Sequence, residues 1–248
     1  MMAPVSPLTS AVSLSLVGSL GGLLCASVLL LLPPSLRSRL VPSLVSYAVG
    51  ALLGVALMAL LPEALESASA PKVFGTLLVG ILGFFVLEKA VIWRHCHTDE
   101  CAVHGVSASL VLVGGAVHNF VDGAMIGAAV LTSVPLGIST AVAVAAHEVP
   151  QEISDFAVLL HAGYSRSKAL ALNLLCGLAS VAGAVMAVML VNIIPTLLPY
   201  LLAIAASSFL YVAMSDLIPD LHQKSPSGPA AIRQVVLIGL GMATVLLL

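Results

Sequence analysis

Long apolar runs separated by short polar connections follow one another along the whole chain. A membrane-spanning α-helix needs ~20 mostly apolar residues, and eight runs approach or exceed this length. They cover residues 11–32, 44–61, 74–93, 106–131, 136–160, 169–194, 197–218 and 232–248. The first run is too long for a signal peptide, and no basic residue precedes it, so we expect it to remain as the first helix. The pattern predicts an all-α membrane protein with eight transmembrane helices in a single domain over residues 1–248.

The composition agrees with this class. Of the 248 residues, 60% are hydrophobic and only 8% are charged, whereas about a quarter of a soluble domain is charged. Aromatic residues make up 4% and there are 20 glycines, which favours closely packed helices over an aromatic-girdled β-barrel. The net charge of −2 is spread over the connections. We therefore expect a lipid bilayer as the surroundings and no nucleic acid as a partner.

Basic residues fall almost entirely at one set of connections between the predicted helices. Only Lys72 flanks an even-to-odd connection, and the others flank the odd-to-even connections: Arg37, Arg39, Lys89, Arg94, Arg166, Lys168, Lys224 and Arg233. The positive-inside rule places the odd-to-even connections in the cytoplasm and both termini outside it. The short connections favour the plasma (inner) membrane of a prokaryote as the location.

A segment of the second apolar run recurs in the seventh. Residues 53–63 match residues 210–220 in their apolar positions, proline and terminal acid at a constant offset of 157. An even-numbered and an odd-numbered helix cross the membrane in opposite directions. The pattern therefore predicts an inverted repeat, with helices one to three mirroring helices six to eight around the central helices four and five.

The fourth and fifth runs carry polar residues near their middles. They are His118, Asn119 and Asp122 in the fourth run, and His147, Glu148, Gln151, Glu152 and Asp155 in the fifth. At about 100° per residue, each set falls on one stripe of its helix. An unpaired acid at the bilayer centre costs ~3 kcal/mol, and no Lys or Arg lies at this depth. Protonation, mutual hydrogen bonding or a bound cation must therefore compensate the acids.

The types of side chain favour a cation. Imidazole combined with carboxylate suits zinc, iron, manganese or cadmium, whereas magnesium and calcium prefer oxygen ligands alone. His118 with Asp122, and His147 with Gln151, are separated by four residues, so each pair can grip one ion. Pro150 removes a backbone hydrogen bond inside the fifth helix and can kink it beside these residues.

At these residues the sequence resembles the ZIP family of divalent-metal transporters. The resemblance rests on His-Asn-Phe-Val-Asp-Gly at 118–123 and His-Glu-Val-Pro-Gln-Glu at 147–152, followed by Asp155-Phe156. It extends to Leu-Leu-Pro-Glu-Ala at 60–64 and to Leu-Ile-Pro-Asp at 217–220. The resemblance implies a binuclear metal centre at mid-membrane and an arrangement that commonly forms homodimers.

The resemblance also implies two ligand sets. One site would take His118, Asp122, His147 and Gln151, and the adjoining site would take Asn119, Asp122, Glu148 and Gln151. Many family members carry His or Glu where Gln151 stands, so the neutral amide predicts one firm site and one weaker site. The family's second helix often has an Asp and a His where Val55 and Ala59 lie. Met58 offers a thioether as a remaining ligand along the pathway, or simply packs within the core.

Three further features could accompany a metal pathway. Residues 94–105 form a predicted cytoplasmic connection with His95, His97 and His104 beside Cys96 and Cys101, which resembles the histidine-rich loop that ZIP proteins often place there. It could take zinc leaving the pore, or it could be a plain solvated loop. Asp216 and Asp220 in the seventh helix suggest a path towards the cytoplasm. Glu152 and Asp155 would serve as accessory residues of the pathway.

These features predict a secondary transporter, and no enzyme, that imports Zn²⁺ by alternating access. Fe²⁺, Mn²⁺ and Cd²⁺ would also be accepted by this ligand chemistry. One alternative is a metal-sensing membrane protein that binds but does not carry the ion. The other is an intramembrane metallohydrolase, because residues 147–151 approach His-Glu-x-x-His, although Gln151 replaces the second histidine.

Overall fold

The structure is a computed structural model that describes residues 6–93, 103–223 and 228–247. Within these ranges the chain forms eight long helices and no strand: α1 Pro7–Leu31, α2 Pro34–Ser67, α3 Ala70–Trp93, α4 Val103–Thr132, α5 Val134–His161, α6 Arg166–Ile193, α7 Pro195–Gln223 and α8 Pro229–Leu247. Seven of them are long and apolar enough to cross a membrane. The exception is α5, whose 28 residues include the polar cluster and are therefore less apolar. The predicted all-α membrane fold is confirmed.

Three of the helices begin at a serine that caps the first turn. The hydroxyl oxygens of Ser6, Ser133 and Ser165 accept hydrogen bonds from backbone N–H groups three residues later, at 3.1, 3.2 and 3.3 Å. Such capping satisfies backbone donors that a helix leaves unpaired at its start. Ser133 alone separates α4 from α5, so these two helices form a tight antiparallel hairpin.

The repeat seen in the sequence reappears in the backbone. One π-helical turn occupies Val55–Leu60 in α2, and another occupies Val212–Leu217 in α7, at the same offset of 157 residues. Each turn ends just before a repeated proline, Pro62 or Pro219. A proline cannot donate to the carbonyl four residues earlier and clashes with it, so the backbone widens into a π turn ahead of it.

The two halves of the repeat pack in a symmetric pattern. The Leu198–Tyr211 part of α7 lies against the part of α2 from Val55 to Ser67, and the π turn of α7 lies against the Pro34–Gly54 part of α2, so the two helices are antiparallel. The contact between α8 and α2 corresponds to the contact between α3 and α7 in the other half. In the same way, the contact between α6 and α4 corresponds to the contact between α1 and α5. The symmetry therefore extends to the central helices, which the sequence pattern left as an unduplicated pair.

The helices α4 and α6 approach closely at glycines. A Cβ atom added to Gly123 would lie 1.7 Å from the carbonyl oxygen of Ser180, and one added to Gly183 would lie 1.9 Å from that of Phe120. No side chain fits at either position. Small residues that bring backbones together are a common packing solution in membranes, where lipid provides no hydrophobic driving force between helices.

The start of α4 differs from the sequence prediction. Because α4 begins at Val103, residues 103–105 are helical and the predicted connection 94–105 is shorter than expected. His104 thus belongs to the first turn of α4, whereas His95 and His97 lie outside the described residues. The helix α5 continues through Pro150 without a break. The π turns lie in α2 and α7, and α6 is interrupted at Leu178.

Candidate metal centre

The α4–α5 hairpin brings the two central histidines to the same level. His118 lies nearly as many residues before Ser133 as His147 lies after it. Because every α-helix has the same rise, about 1.5 Å per residue, equal stretches from the turn correspond to equal heights. The rings meet edge to face, with centroids 5.3 Å apart and an interplanar angle of 85°.

Four side chains from these two helices converge on one point. The Nε2 atoms of His118 and His147 are 3.1 Å apart. Asp122 Oδ2 lies 3.4 Å from Nε2 of His118 and 3.3 Å from Nε2 of His147. Glu148 Oε1 lies 3.8 Å from Nε2 of His118. One ligand atom from each residue lies within 4.8 Å of all the others, and we call these four residues the histidine–carboxylate cluster.

The separations within the cluster match those around a small tetrahedral metal ion. For bonds of about 2.0–2.1 Å to zinc, tetrahedral geometry separates neighbouring ligand atoms by about 3.3 Å. Three of the separations in the cluster are 3.1, 3.3 and 3.4 Å. The ligand atoms of His118, His147 and Asp122 are therefore spaced as they would be around a first-row divalent ion.

The orientation of His147 prepares it to bind a metal. Its Nδ1 atom donates a hydrogen bond to the carbonyl oxygen of Ala143 at 3.0 Å. In a neutral imidazole the other nitrogen, Nε2, then carries the lone pair, and it points at Asp122 and His118. Backbone anchoring of the second ring nitrogen is the usual arrangement of a metal-bound histidine.

The carboxylates of the cluster have no hydrogen-bond partner. Both oxygens of Asp122 and both oxygens of Glu148 are buried and make no hydrogen bond. Buried carboxylates are costly unless they are paired or bind a cation, and neither α4 nor α5 contains a Lys or Arg. Their formal charge of −2 equals the charge that one divalent cation would neutralise.

The cluster is closed except at one residue. The side chains of Asp122 and His147 are each 1% exposed and that of Glu148 is 0% exposed, whereas that of His118 is 22% exposed. An ion approaching from this open side would therefore meet His118 first.

Asn119, a predicted ligand of the second site, is held by protein groups. Its Oδ1 accepts a hydrogen bond from Ser19 of α1 at 3.0 Å, and its Nδ2 donates to the carbonyl oxygen of Gly115 at 3.1 Å. The carbonyl oxygen of Gly177, just before α6 is interrupted at Leu178, also lies 3.0 Å from the Ser19 hydroxyl and shares its single hydrogen with Asn119. Gln151, the ligand that the resemblance shares between both sites, is half-buried on α5.

Two residues outside the predicted set shape the cluster. Gly22 of α1 lies against Glu148, and a Cβ atom on Gly22 would stand 2.6 Å from the Cβ atom of Glu148. The ring of Phe209 in α7 contacts that of His147, with centroids 6.1 Å apart. A stripe of small residues marks the buried face of α1 in the sequence: Ser15, Gly18, Ser19, Gly22 and Ala26. This spacing could have indicated the contact, whereas nothing in the sequence pairs Phe209 with His147.

The accessory residues predicted in α2 and α7 lie in or next to the π turns. Met58 is 46% exposed. Asp216 is also exposed, and its Oδ1 accepts a hydrogen bond from Ser215 at 3.0 Å. Next to it, the hydroxyl of Tyr211 donates to Glu88 of α3. Asp220 is half-buried in the last segment of α7. Their role in a pathway stays a prediction.

The fold and the cluster define a class of protein, namely a multi-pass helical membrane protein with a buried histidine–carboxylate centre. A family model described as ZIP Zinc transporter matches residues 93–248. The chain belongs to the ZIP zinc transporter family.

Individual relatives support this assignment. The chain is 43% identical over 114 residues to zinc transporter ZIP10 of Danio rerio, which covers 46% of this chain and 14% of the relative. It is 41% identical over 140 residues to zinc transporter ZIP4 of Homo sapiens, which covers 56% of this chain and 22% of the relative. It is also 33% identical over 141 residues to zinc transporter foi of Drosophila melanogaster, which covers 57% of this chain and 20% of the relative. The chain thus spans about a fifth or less of the length of these relatives.

Proposed function

We propose that this protein carries Zn²⁺ across a membrane through the histidine–carboxylate cluster. The observation that carries the proposal is the convergence of two imidazoles and two unpartnered, buried carboxylates between α4 and α5. Two further facts support zinc as the cargo: the family description names zinc, and so do the names of the relatives. Fe²⁺, Mn²⁺ and Cd²⁺ share the required ligand preference and are included as secondary cargo.

The cluster holds one ion firmly in this proposal. His118, Asp122, His147 and Glu148 complete a four-ligand set whose charge one divalent ion neutralises. A second ion would need Asn119 and Gln151, but the amide of Asn119 is engaged by Ser19 and Gly115. The binuclear centre implied by the family resemblance is therefore reduced here to one firm site and one weaker site.

Transport proceeds by alternating access in this proposal. Two observations support two symmetry-related halves that can move against each other. The helices α2 and α7 pack antiparallel, and α3 packs on α7 as α8 packs on α2. The direction in this proposal is import, as the family resemblance implies. The charge bias of the connections predicts a cytoplasmic location for the odd-to-even connections and for the C-terminal end of α5. The plasma (inner) membrane, termini outside the cytoplasm and a homodimer complete the proposal.

The other two hypotheses fit the molecule less well. A metallohydrolase of the His-Glu-x-x-His type needs a second histidine at the position of Gln151, and the family is one of transporters. A sensor would bind zinc without moving it, so it differs from a transporter only in flux.

Flux into proteoliposomes tests the proposal. Vesicles that contain the full chain and a zinc-sensitive dye are exposed to external Zn²⁺, and the native chain is compared with His118→Ala and Glu148→Ala. His161→Ala, which changes an exposed histidine at the end of the same helix α5, serves as the matched control. We expect flux in the native chain and the control but none in the two cluster variants. Zinc binding without flux under any gradient would establish the sensor instead.

A further inference from the structure

A cavity of about 680 Å³ lies between two connections of the helix bundle. One wall comes from the α2–α3 connection and the first turn of α3, and the other comes from the beginning of α7. No residue of the histidine–carboxylate cluster lines it. The two walls belong to different halves of the repeat, and we call this space the interfacial cavity.

The interfacial cavity lies where four candidate membrane spans reach the same surface of the membrane. The spans Pro34–Ser67 and Arg166–Ile193 end beside it. The spans Ala70–Lys89 and Pro195–Gln223 begin there. Tyr200 in its wall is of a residue type that is enriched at membrane–water interfaces. The cavity is therefore at the level of the lipid headgroups.

Lys72 gives the interfacial cavity its charge. It is the only basic residue that flanks an even-to-odd connection, so it is the exception to the charge bias of the chain. Its side chain is exposed and makes no ion pair with a described residue, including Glu63 and Glu66 near the end of α2. Among the described residues that line the cavity, none is acidic. The cavity therefore favours an anionic ligand.

Hydroxyl groups from both walls accompany the ammonium group. They belong to Ser67, Ser69, Thr196 and Tyr200. None of the four side chains makes a hydrogen bond within the described part of the chain, so each can donate to a ligand. Lysine binds phosphate as a point charge, and basic pockets between transmembrane helices bind lipid headgroups. At this depth in the membrane, the phosphate groups of phospholipids are the anions at hand.

The size of the interfacial cavity fits more than a single phosphate group. Its volume of about 680 Å³ lies within the range of about 300–1,000 Å³ that is usual for small-molecule sites. Exposed apolar side chains adjoin the lining residues in sequence. Phe74, two residues after Lys72, is 46% exposed, and Ile194, directly before Pro195, is 45% exposed. A phospholipid combines a polar headgroup for the cavity with acyl chains for such apolar neighbours.

We propose that the interfacial cavity binds the phosphate group of an anionic phospholipid. The phosphate lies against the ammonium group of Lys72, and the hydroxyl groups of both walls bind the rest of the headgroup. One bound lipid then bridges the two halves of the repeat at the membrane surface. The proposal does not rest on zinc transport, so each can fail without the other.

Native mass spectrometry of the full chain tests the proposal. The protein is titrated in detergent with phosphatidylglycerol or phosphatidylcholine of identical acyl chains, and the lipid adducts are quantified. We expect one tight phosphatidylglycerol adduct per chain. It should bind about tenfold or more tightly than phosphatidylcholine, in line with the strength of hydrogen bonds to charged groups. Equal binding of the two lipids would overturn the proposal.

Variants of the two lysines of α3 assign the adduct to the cavity. Lys72→Met should weaken phosphatidylglycerol binding about tenfold or more, and Lys72→Arg, which keeps the charge, should retain it. Lys89→Met is the matched control, because Lys89 is an exposed lysine about 25 Å farther along the same helix. It should bind as the native chain does. Unchanged binding in Lys72→Met, or an equal loss in Lys89→Met, would overturn the proposal.

The second wall distinguishes a cavity from a surface lysine. Thr196→Val combined with Tyr200→Phe removes two hydroxyl groups without changing the charge, so weaker binding is expected only if the lipid enters the cavity. Circular dichroism verifies that the variants remain helical. Binding that does not respond to this double change would overturn the proposal.

Soluble competitors identify the source of the phosphate group. Inorganic phosphate and glycerol 3-phosphate carry the same group without acyl chains, so they should displace phosphatidylglycerol only at far higher concentrations. Displacement at concentrations equal to that of the lipid would show that the cavity takes a soluble phosphate, and the lipid assignment would be wrong.

Discussion

The Nε2 atoms of His118 and His147 lie 3.1 Å apart, although 29 residues separate the two histidines along the chain. The tight turn at Ser133 brings them level, and the hydrogen bond from Nδ1 of His147 to Ala143 turns its lone pair towards His118. Two imidazole nitrogens at this distance repel each other unless a proton or a metal ion lies between them. The geometry of the α4–α5 hairpin therefore places two imidazole nitrogens where one metal ion can bind both.

Removing either histidine should weaken zinc binding strongly. Loss of a group that only orients a metal ligand costs about 10- to 100-fold in affinity, so loss of a ligand itself should cost about 100-fold or more. Isothermal titration of the native chain, His118→Ala and His147→Ala in detergent measures this. His222→Ala, an exposed histidine beyond the π turn of α7, should bind as the native chain does. Equal affinity in all four proteins would contradict the assigned cluster.

Zinc should stabilise the folded protein. A ligand that binds only the native state adds RT ln(1 + [L]/Kd), which is about 2.7 kcal/mol at 100 times Kd. We expect the thermal midpoint of unfolding in detergent to rise with zinc concentration in the native chain. In His147→Ala the rise should be absent at the same concentrations. A zinc-dependent rise of equal size in both proteins would place the stabilising ion elsewhere.

Replacing Gln151 by glutamate should strengthen the weaker second site. The substitution adds one negative charge on α5, three residues after Glu148, and a more negative centre offsets more of the charge of a second divalent ion. Equilibrium dialysis at low micromolar zinc should give one ion per chain for the native protein and a value closer to two for Gln151→Glu. Gln151→Met, of similar length but without a charge, is the control. Two firmly bound ions in the native chain would refute the single-site proposal.

Gly22 should be required for the cluster although it carries no ligand. Gly22→Ala places a Cβ atom 2.6 Å from that of Glu148, whereas a Cβ atom on the adjacent Gly21 meets no other atom within 4 Å. Overpacking of this kind costs ~1–3 kcal/mol. We expect Gly22→Ala to lower both the thermal midpoint and zinc affinity, and Gly21→Ala to change neither. Identical behaviour of the two variants would show that α1 does not press on Glu148.

The sequence was sufficient to predict the class of protein and much of the candidate site. The succession of apolar runs predicts eight helices, because a backbone in lipid must satisfy its own hydrogen bonds and helical spans of ~20 residues do so. The acids of α4 and α5 indicated a cation site because an unpaired charge at that depth is costly. The repeat at 53–63 and 210–220 likewise predicted two related helices, and the matched π turns agree with it.

Only the tertiary structure shows which side chains of different helices contact one another. Whether Asn119 faces an ion or a neighbouring helix depends on the position of Ser19, 100 residues away, whose hydroxyl donates to it. Pro150 lies within a continuous α5, while Pro62 and Pro219 are preceded by π turns. Contact of Gly22 with Glu148 depends on how closely α1 and α5 approach. Such contacts join residues distant in sequence, and the packing of the helices against one another fixes them.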